Sequence, residues 1–340
     1  MPSVELSPLS PLCEDPAADQ SLRPGRFAEF VGQVRTVGNL AVYIEAARRR
    51  EEPLDHILFS GLPGLGKTTL AHLVAREIGA EIRVSSGPAL DRAADLAGIL
   101  TNLRRGEVLF IDEIHRIPAA VEEYLYSAME DFTLDIVIDQ GPNARSIRLP
   151  LERFTLVAAT TREGLLSSPL RSRFGVHERL DLYPVADLVR ILERAARLLD
   201  VKLEPDAALA IAGRSRGTPR IANRFLRRVR DFAVVRGSPA VTRLVAEEGL
   251  ERLGVDANGL EILDRRILES IARLGGGPVG VKTISVAVGE ETDTIEDVYE
   301  PYLVQRGFLA KSPRGRSVTT AGYLAVGLEP PAAGEGSLHR

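Results

Sequence analysis

The chain has 340 residues, which is longer than one ordinary domain and predicts two or three. Hydrophobic residues make up 44% of it and charged residues 26%, the balance of a soluble globular protein. The formal net charge of −4 excludes a protein coated in positive charge, but it is compatible with a local basic patch that contacts phosphates.

The cysteine content and the first residues restrict the location of the protein. Cys13 is the one cysteine, so no internal disulfide can form, and five histidines leave too few ligands for a zinc cluster. No apolar run approaches the roughly 20 residues that span a bilayer. Residues 1–20 lack the basic and apolar regions of a secretory signal, and their composition predicts a disordered tail. We expect a reducing, cytoplasmic location and no membrane contact.

The first half of the chain alternates short apolar runs with helical patterns. Residues 56–60, 108–111 and 154–159 are predicted strands, and apolar residues recur at helical spacing from Leu70 to Ile78. Strands separated by helices predict a parallel sheet covered on both faces, an α/β domain over residues 21–183. Within it, residues 134–149 alternate apolar side chains around a Gly-Pro-Asn turn, which predicts a β-hairpin.

The second half of the chain is predominantly helical. Residues 184–255 predict a small helical lid domain. Residues 256–330 predict a winged helix, because three helical stretches are followed by two short strands around Pro313-Arg314-Gly315. Residues 331–340 are expected to be a loose tail.

A phosphate-binding loop follows the first predicted strand. Residues 61–68, GLPGLGKT, fit the pattern G-x-x-x-x-G-K-[ST] and open an amphipathic helix. The glycines let successive N–H groups point at a phosphate, Lys67 neutralises phosphate oxygens, and the hydroxyl of Thr68 ligates Mg²⁺. A chance glycine-rich turn would lack both flanking elements. Nucleotide contacts are therefore predicted for Gly64, Leu65, Gly66, Lys67, Thr68 and Thr69.

Two carboxylates end the next predicted strand. Asp112 is expected to hold Mg²⁺, and Glu113 to orient or deprotonate the attacking water. An acidic pair after a strand is by itself usually a solvated loop, but here it lies downstream of a phosphate loop. The C-terminal ends of parallel strands face one crevice. The combination predicts ATP as substrate with Mg²⁺.

Three further positions have functional and structural interpretations. Thr160-Thr161 at the next strand end is either a γ-phosphate contact or a strand-end cap. Arg171 and Arg173 suit charge that develops during phosphoryl transfer, but a surface ion pair is the alternative. Arg220 opens a lid helix, from which it could reach a nucleotide.

The motifs LRPGRFAEFVGQ, GLPGLGKTTLA, FIDEIHR, ATTREGLLSSPLRSRFG, RSRGTPRIANR, EDVYEPYLVQRGFL and SPRGR resemble those of AAA+ ATPases and, within them, of the RuvB family of branch-migration motors. The resemblance runs from about Ser21 to Leu328. Generic AAA+ proteins share the phosphate loop and the acidic pair, but not the C-terminal motifs.

The resemblance implies specific roles near the nucleotide. Thr161 would be sensor 1, Arg173 a finger that completes a neighbouring subunit's site, and Arg220 sensor 2. It also places near the nucleotide Leu22, Arg23, Tyr183, Glu130, Asp131 and Phe132. From sequence alone, Tyr183 would be a packing residue.

The resemblance also implies an assembly and a task. A finger that acts on a neighbour requires an oligomer, and the family forms hexameric rings. Such rings drive branch migration of Holliday junctions along double-stranded DNA arms, with RuvA and, in a larger complex, RuvC. The hairpin would dock RuvA through Ile136, Ile138 and Ile147; an ordinary hairpin packed on its own domain is the alternative.

The predicted wing carries positive charge that suits DNA. Residues 306–316 carry four positive charges and no acidic residue: Arg306, Lys311, Arg314 and Arg316. The preceding helix, in contrast, carries Glu296, Asp297 and Glu300. We therefore predict that Lys311, Arg314 and Arg316 contact phosphates without reading bases. A charge run is otherwise usually a solvated face. Arginine is expected at Lys311 in many relatives and near Thr292 in some of them, so DNA affinity is expected to differ here.

Three rival functions start from the same motifs. A clamp-loader-like ATPase would carry a helical collar instead of the winged unit. A winged-helix regulator would use ATP as a switch and would not move DNA. A protein unfoldase would need an aromatic pore loop, which nothing in the sequence indicates.

Overall fold

The computed structural model describes residues 21–137 and 146–331. The chain divides into two compact units, one formed by Arg23–Tyr183 and the other by the residues from Pro184 onward together with Leu22. Leu22 is tied to the second unit, because its carbonyl oxygen accepts a 2.7 Å hydrogen bond from Nη1 of Arg194. None of the helices in the described ranges is long and apolar enough to cross a membrane.

The first unit alternates strands and helices, as predicted for an α/β domain. Its elements are α1 (Val34–Arg50), β1 (Ile57–Ser60), α2 (Lys67–Ile78), β2 (Ile82–Ser86), α3 (Ala93–Leu100), β3 (Val108–Asp112), α4 (Ala119–Glu130), β4 (Thr133–Val137), β5 (Ser146–Pro150), β6 (Thr155–Thr160), α5 (Ser168–Ser172) and β7 (Val176–Arg179).

Five strands form one sheet in the order β2-β3-β6-β1-β7, and every pair is parallel. The three central strands β3, β6 and β1 are almost completely buried, which explains why they are continuous apolar runs rather than alternating ones. Their side chains pack against α3, α4 and α5 in a core that includes Leu109, Leu125 and Phe154. The predicted parallel sheet is confirmed.

The strands β4 and β5 form a separate antiparallel ladder, which confirms the predicted hairpin. Ile136 pairs with Ile147 in its register. The predicted Gly-Pro-Asn turn lies outside the described residues.

The second unit is helical except for one small ladder. Its elements are α6 (Val185–Leu198), α7 (Pro205–Arg214), α8 (Pro219–Val235), α9 (Arg243–Arg252), α10 (Ile262–Arg273), α11 (Val281–Val288), α12 (Thr292–Thr294), a π-helical turn (Ile295–Tyr299), α13 (Glu300–Gln305), β8 (Leu309–Ser312), β9 (Gly315–Val318) and α14 (Thr320–Ala325). The helices α6 to α9 form the lid.

The elements from α10 to β9 form the predicted winged helix. The strands β8 and β9 are antiparallel, and an isolated bridge between Val279 and Arg316 extends the wing. The predicted third helix is interrupted by the π-helical turn. Pro301 in the first turn of α13 has no amide hydrogen, so an α-helical bond to the carbonyl of Asp297 cannot form. The backbone widens just before it.

A buried histidine joins three elements of the first unit. His56, directly before β1, accepts a 2.8 Å hydrogen bond at Nδ1 from the amide of Leu156 and donates from Nε2 to the carbonyl of Met129 at 3.1 Å. Both ring nitrogens are engaged by the neutral form. Burial lowers the pKa of His56 below its ordinary value of 6.5.

This histidine predicts a specific loss of stability in mild acid. Below pH 6.5 the unfolded chain takes up more proton at His56 than the folded chain, because the folded-state pKa is lower. Stability is therefore full above this pH and falls below it. Between pH 7.5 and 5.5, the free energy of unfolding measured with urea should fall by up to about 1.4 kcal/mol more for the parent than for His56→Gln. Equal losses in the two proteins would contradict the assignment.

Candidate nucleotide site and wing

The predicted phosphate loop connects β1 to α2. Gly66 adopts φ 104°, a conformation that side-chain-bearing residues rarely adopt, so the loop requires glycine there. Lys67 is the first residue of α2, and its side chain is buried. Its Nζ donates to the carbonyl oxygens of Gly61 at 2.7 Å and Leu62 at 2.9 Å. The ammonium group therefore lies inside the loop that the sequence predicted for phosphate.

The two predicted metal ligands meet beside this loop. Oγ1 of Thr68 donates to Oδ2 of Asp112 at 3.2 Å, and Oδ1 of Asp112 accepts from the amide of Glu113 at 3.0 Å. A hydroxyl and a carboxylate are hard oxygen donors of the kind that Mg²⁺ prefers. Mg²⁺ usually takes only one or two protein carboxylates and completes its shell with water and phosphate. The residues present fit such an ion.

Glu113 is held by a threonine and a histidine. Its Oε2 accepts from Oγ1 of Thr161 at 3.0 Å and lies 3.2 Å from Nδ1 of His115. Nδ1 also lies 3.0 Å from Oγ1 of Thr160, which accepts from the amide of Arg162. The carboxylate is therefore fixed at the carboxyl edge of the sheet beside Asp112. Sequence reasoning gave His115 no role, although it lies within the motif FIDEIHR.

Tyr183 reaches the phosphate loop directly. Its hydroxyl donates to the carbonyl oxygen of Leu65 at 3.1 Å. Arg23 lies near α2, where its charge adds to burial in lowering the pKa of His72. Leu22 and Arg220 belong to the second unit, so their nucleotide contacts stay predictions.

Arg173 lies at the opposite edge of the sheet. It follows α5, and three residues later β7 begins at Val176, beside the start of β1. Its Nη2 pairs with Oε2 of Glu130 at 2.9 Å, and its guanidinium lies 4.6 Å from the ring centroid of Tyr126. The length of β1, roughly 13 Å, separates this edge from the phosphate loop.

The turn that contains Glu130, Asp131 and Phe132 lies at this same edge. The Phe132 ring packs 6.3 Å from that of His56 and 5.9 Å from that of Phe154, two residues that directly precede β1 and β6. The turn therefore does not line the phosphate loop of its own chain. The predicted nucleotide contact of these three residues is therefore not made to the phosphate loop of their own chain.

The wing cations are engaged by the acidic helix. Nη2 of Arg316 lies 2.8 Å from Oε2 of Glu300 and also bonds Glu296, and Nζ of Lys311 lies 2.6 Å from Oε1 of Glu300. The Arg316 side chain is only 10% exposed, whereas Lys311 is 50% exposed and Arg314 is exposed at the turn.

These ion pairs correct two sequence inferences. Arg316 is a buried structural residue, so its predicted DNA contact is not supported. Glu296 and Glu300 do not present unbalanced negative charge to DNA, because cations of the wing neutralise them. Arg314 is left as the exposed arginine of the wing, with Lys311 beside it.

The predicted partner-binding residues are only partly described. Ile147 on β5 is 45% exposed, which leaves it accessible to a partner. Ile138 lies outside the described residues, and Ile136 is placed only by its backbone pairing. The RuvA-docking role stays a prediction.

A close approach at Gly87 makes a testable prediction about this site. A Cβ at Gly87 would overlap the carbonyl oxygen of Glu113, so Gly87→Ala must displace Glu113. We expect Gly87→Ala to lower the free energy of unfolding by about 1–3 kcal/mol. Gly98→Ala, in open space on α3, should instead raise it by about 0.5–1 kcal/mol. Chemical denaturation checks both, and a Gly87→Ala protein as stable as the parent would contradict the packing.

Comparisons with known proteins cover nearly the whole chain. Residues 22–180 match the "Holliday junction DNA helicase RuvB P-loop domain", residues 183–256 the "RuvB AAA lid domain" and residues 257–327 the "RuvB C-terminal winged helix domain". These matches confirm the predicted fold class of a parallel-sheet ATPase domain, a lid and a winged helix.

Individual relatives indicate the same family. The chain is 58% identical over 328 residues to the "Holliday junction branch migration complex subunit RuvB" of Myxococcus xanthus, covering 96% of each chain. It is 58% identical over 307 residues to the RuvB subunit of Chlorobium phaeovibrioides, covering 90% of this chain and 89% of that one. A solved structure of the Thermotoga maritima RuvB Holliday junction branch migration motor is 50% identical, with a TM-score of 0.84, and covers 92% of this chain and 100% of that one. The chain therefore belongs to the RuvB family.

Proposed function

We propose that this protein is an ATP-hydrolysing motor that drives branch migration of Holliday junctions in DNA recombination and repair. The observation that supports it best is the phosphate loop beside Asp112 and Glu113, in a chain that also carries the RuvB lid and winged helix. The Myxococcus xanthus relative is named as a subunit of a branch migration complex.

The site suits hydrolysis of a phosphoanhydride. Lys67 neutralises the β- and γ-phosphate oxygens, and Thr68 and Asp112 hold Mg²⁺, which supplies further charge neutralisation when bound. Glu113 orients the attacking water and accepts its proton. The hydroxyl of Thr161 and Nδ1 of His115, 3.0 and 3.2 Å from the Glu113 carboxylate, keep that base in place.

The two edges of the sheet support an oligomer. A guanidinium at the Arg173 position is remote from its own phosphate loop but suits the loop of a neighbour, where it would stabilise charge on the transferring phosphoryl group. We propose a homohexameric ring in which Arg173 and the turn of Glu130 complete the neighbour's site. Leu22, Arg23, Tyr183 and Arg220 complete the site around ATP.

The partners follow from the same proposal. The duplex arms of the junction bind the winged helix, RuvA docks on the hairpin through Ile136, Ile138 and Ile147, and RuvC joins a larger complex in the cytoplasm. The 45% exposure of Ile147 supports such docking.

Dissociation of a synthetic four-way junction tests the function. With the cognate RuvA, the parent should dissociate the junction only when ATP and Mg²⁺ are present, and Lys67→Ala should not. Arg173→Ala should still bind ATP but hydrolyse it on the order of 10³-fold more slowly. If the parent hydrolyses ATP but dissociates no junction, the assignment as an ATPase stands and the assignment as a branch-migration motor is wrong.

The revised wing makes a second prediction. Arg314→Gln should weaken duplex binding equally for all sequences and reduce the slope of log affinity against log salt by about 1, because one phosphate contact is lost. Arg273→Gln on α10, which removes an 81% exposed arginine, is the charge-matched control and should change neither. Fluorescence anisotropy at several salt concentrations measures both, and equal effects of the two substitutions would contradict a wing contact.

A further inference from the structure

One arginine of the lid is buried in the winged helix. Arg216 lies in the turn between α7 and α8, and its side chain is only 4% exposed. Nε donates to the carbonyl oxygen of Gly259 at 2.9 Å, and Nη2 donates to Oδ2 of Asp264. Gly259 precedes α10, and Asp264 lies in its first turn. A single side chain therefore connects two domains of the second unit.

Buried and hydrogen-bonded groups surround this contact. Asp264 is fully buried, and its Oδ2 also accepts from the amide of Glu261 at 2.7 Å, which caps α10. The guanidinium of Arg216 lies 4.9 Å from the ring centroid of Tyr302 on α13, and the hydroxyl of Tyr302 donates to the carbonyl of Asn258 at 2.6 Å. Arg216 thus touches the turn before α10, α10 itself and α13.

The charge and the backbone both indicate a precise fit. A buried charge is strongly unfavourable without its partner, so neither Arg216 nor Asp264 can leave the pair easily. Arg216 also adopts φ 55°, which a residue with a side chain keeps only where its surroundings hold it.

The same turn leads directly into α8, the helix that carries Arg220. Arg216 precedes Arg220 by four residues, and the amide of Thr218 bonds the carbonyl of Ser215 at 2.9 Å. One helical turn further, Nη2 of Arg224 pairs with Oε1 of Glu261 at 2.7 Å. The lid is therefore bonded to the winged helix at two points, through Arg216 in the turn before α8 and through Arg224 within α8.

We propose that Arg216 is a positioning residue that locks the lid and the winged helix into one body, so that movement of α8 during the nucleotide cycle is transmitted to the wing on DNA. The transmission of movement to DNA rests on the proposed function. The lock itself is a property of the second unit and can be measured separately.

A distance measurement tests the lock. In a Cys13→Ser background, spin labels are placed at Val235→Cys on the lid and Val286→Cys on α11, positions that are 87% and 86% exposed. The full chain with native Arg216 should give one narrow distance distribution, and Arg216→Ala should broaden it. Arg228→Ala removes an exposed arginine of α8 that pairs with Asp231 in its own helix; it is the matched control and should leave the distribution narrow. A distribution that is broad with Arg216, or still narrow in Arg216→Ala, overturns the proposal.

A coupling measurement tests the consequence. In Arg216→Ala, ATP hydrolysis should stay within about twofold of the parent, while the amount of junction dissociated per ATP hydrolysed should fall at least about fivefold. Unchanged coupling overturns the transmission role. If Arg216→Ala does not fold, the distance and coupling measurements are made on the isosteric variant Asp264→Asn instead, with the same expected results. A parent that dissociates no junction overturns the proposed function, while the distance measurement still decides the lock.

Discussion

The contacts of the candidate nucleotide site depend on one constraint, the parallel direction of all five strands in the sheet of the first unit. Parallel strands end at the same edge, so residues that follow β1, end β3 and follow β6 meet there. Thr68 and Asp112 are 44 residues apart in the chain, and Glu113 and Thr161 are 48 apart, yet each pair is hydrogen-bonded. Reversing any one of these strands would send its catalytic residue to the far edge.

The same constraint places the predicted site residues at two opposite edges of the sheet. The amino-terminal edge carries Arg173 paired with Glu130, and neither can reach the phosphate loop of the same chain. In the ring that we propose, each subunit therefore supplies the loop and carboxylates of one site and the arginine of the next. Hydrolysis then requires assembly, because no single chain holds the complete set.

The second unit uses charge mainly for internal geometry. Arg316 and Lys311 bind Glu300, and Arg216 binds Asp264, so these three cations are paired with acidic side chains inside the unit. Buried pairs of this kind add little net stability relative to apolar residues, but losing one partner is costly. They suit the role that we propose for the second unit, which is to hold one geometry while it transmits a movement.

Local patterns in the sequence determined the elements and the core of the nucleotide site. The glycine spacing of the loop, the acidic pair after an apolar run and the alternation of strands with helices each have a short-range physical cause, and Lys67, Thr68, Asp112 and Glu113 were found from them. The strand-end pattern also pointed to Thr161, and the motif resemblance added Tyr183; the structure shows their contacts with Glu113 and the loop.

Only the tertiary structure decided which charges are free and which edge each residue occupies. Arg314 and Arg316 are two residues apart and equally basic in sequence, yet one is exposed and the other is buried against a helix 16–20 residues earlier. The positions of His115 and Arg216 depend in the same way on distant residues, Thr160 for His115 and Asp264 for Arg216. A sequence lists charges in order along the chain, whereas burial and pairing depend on which distant segments the packed elements bring together.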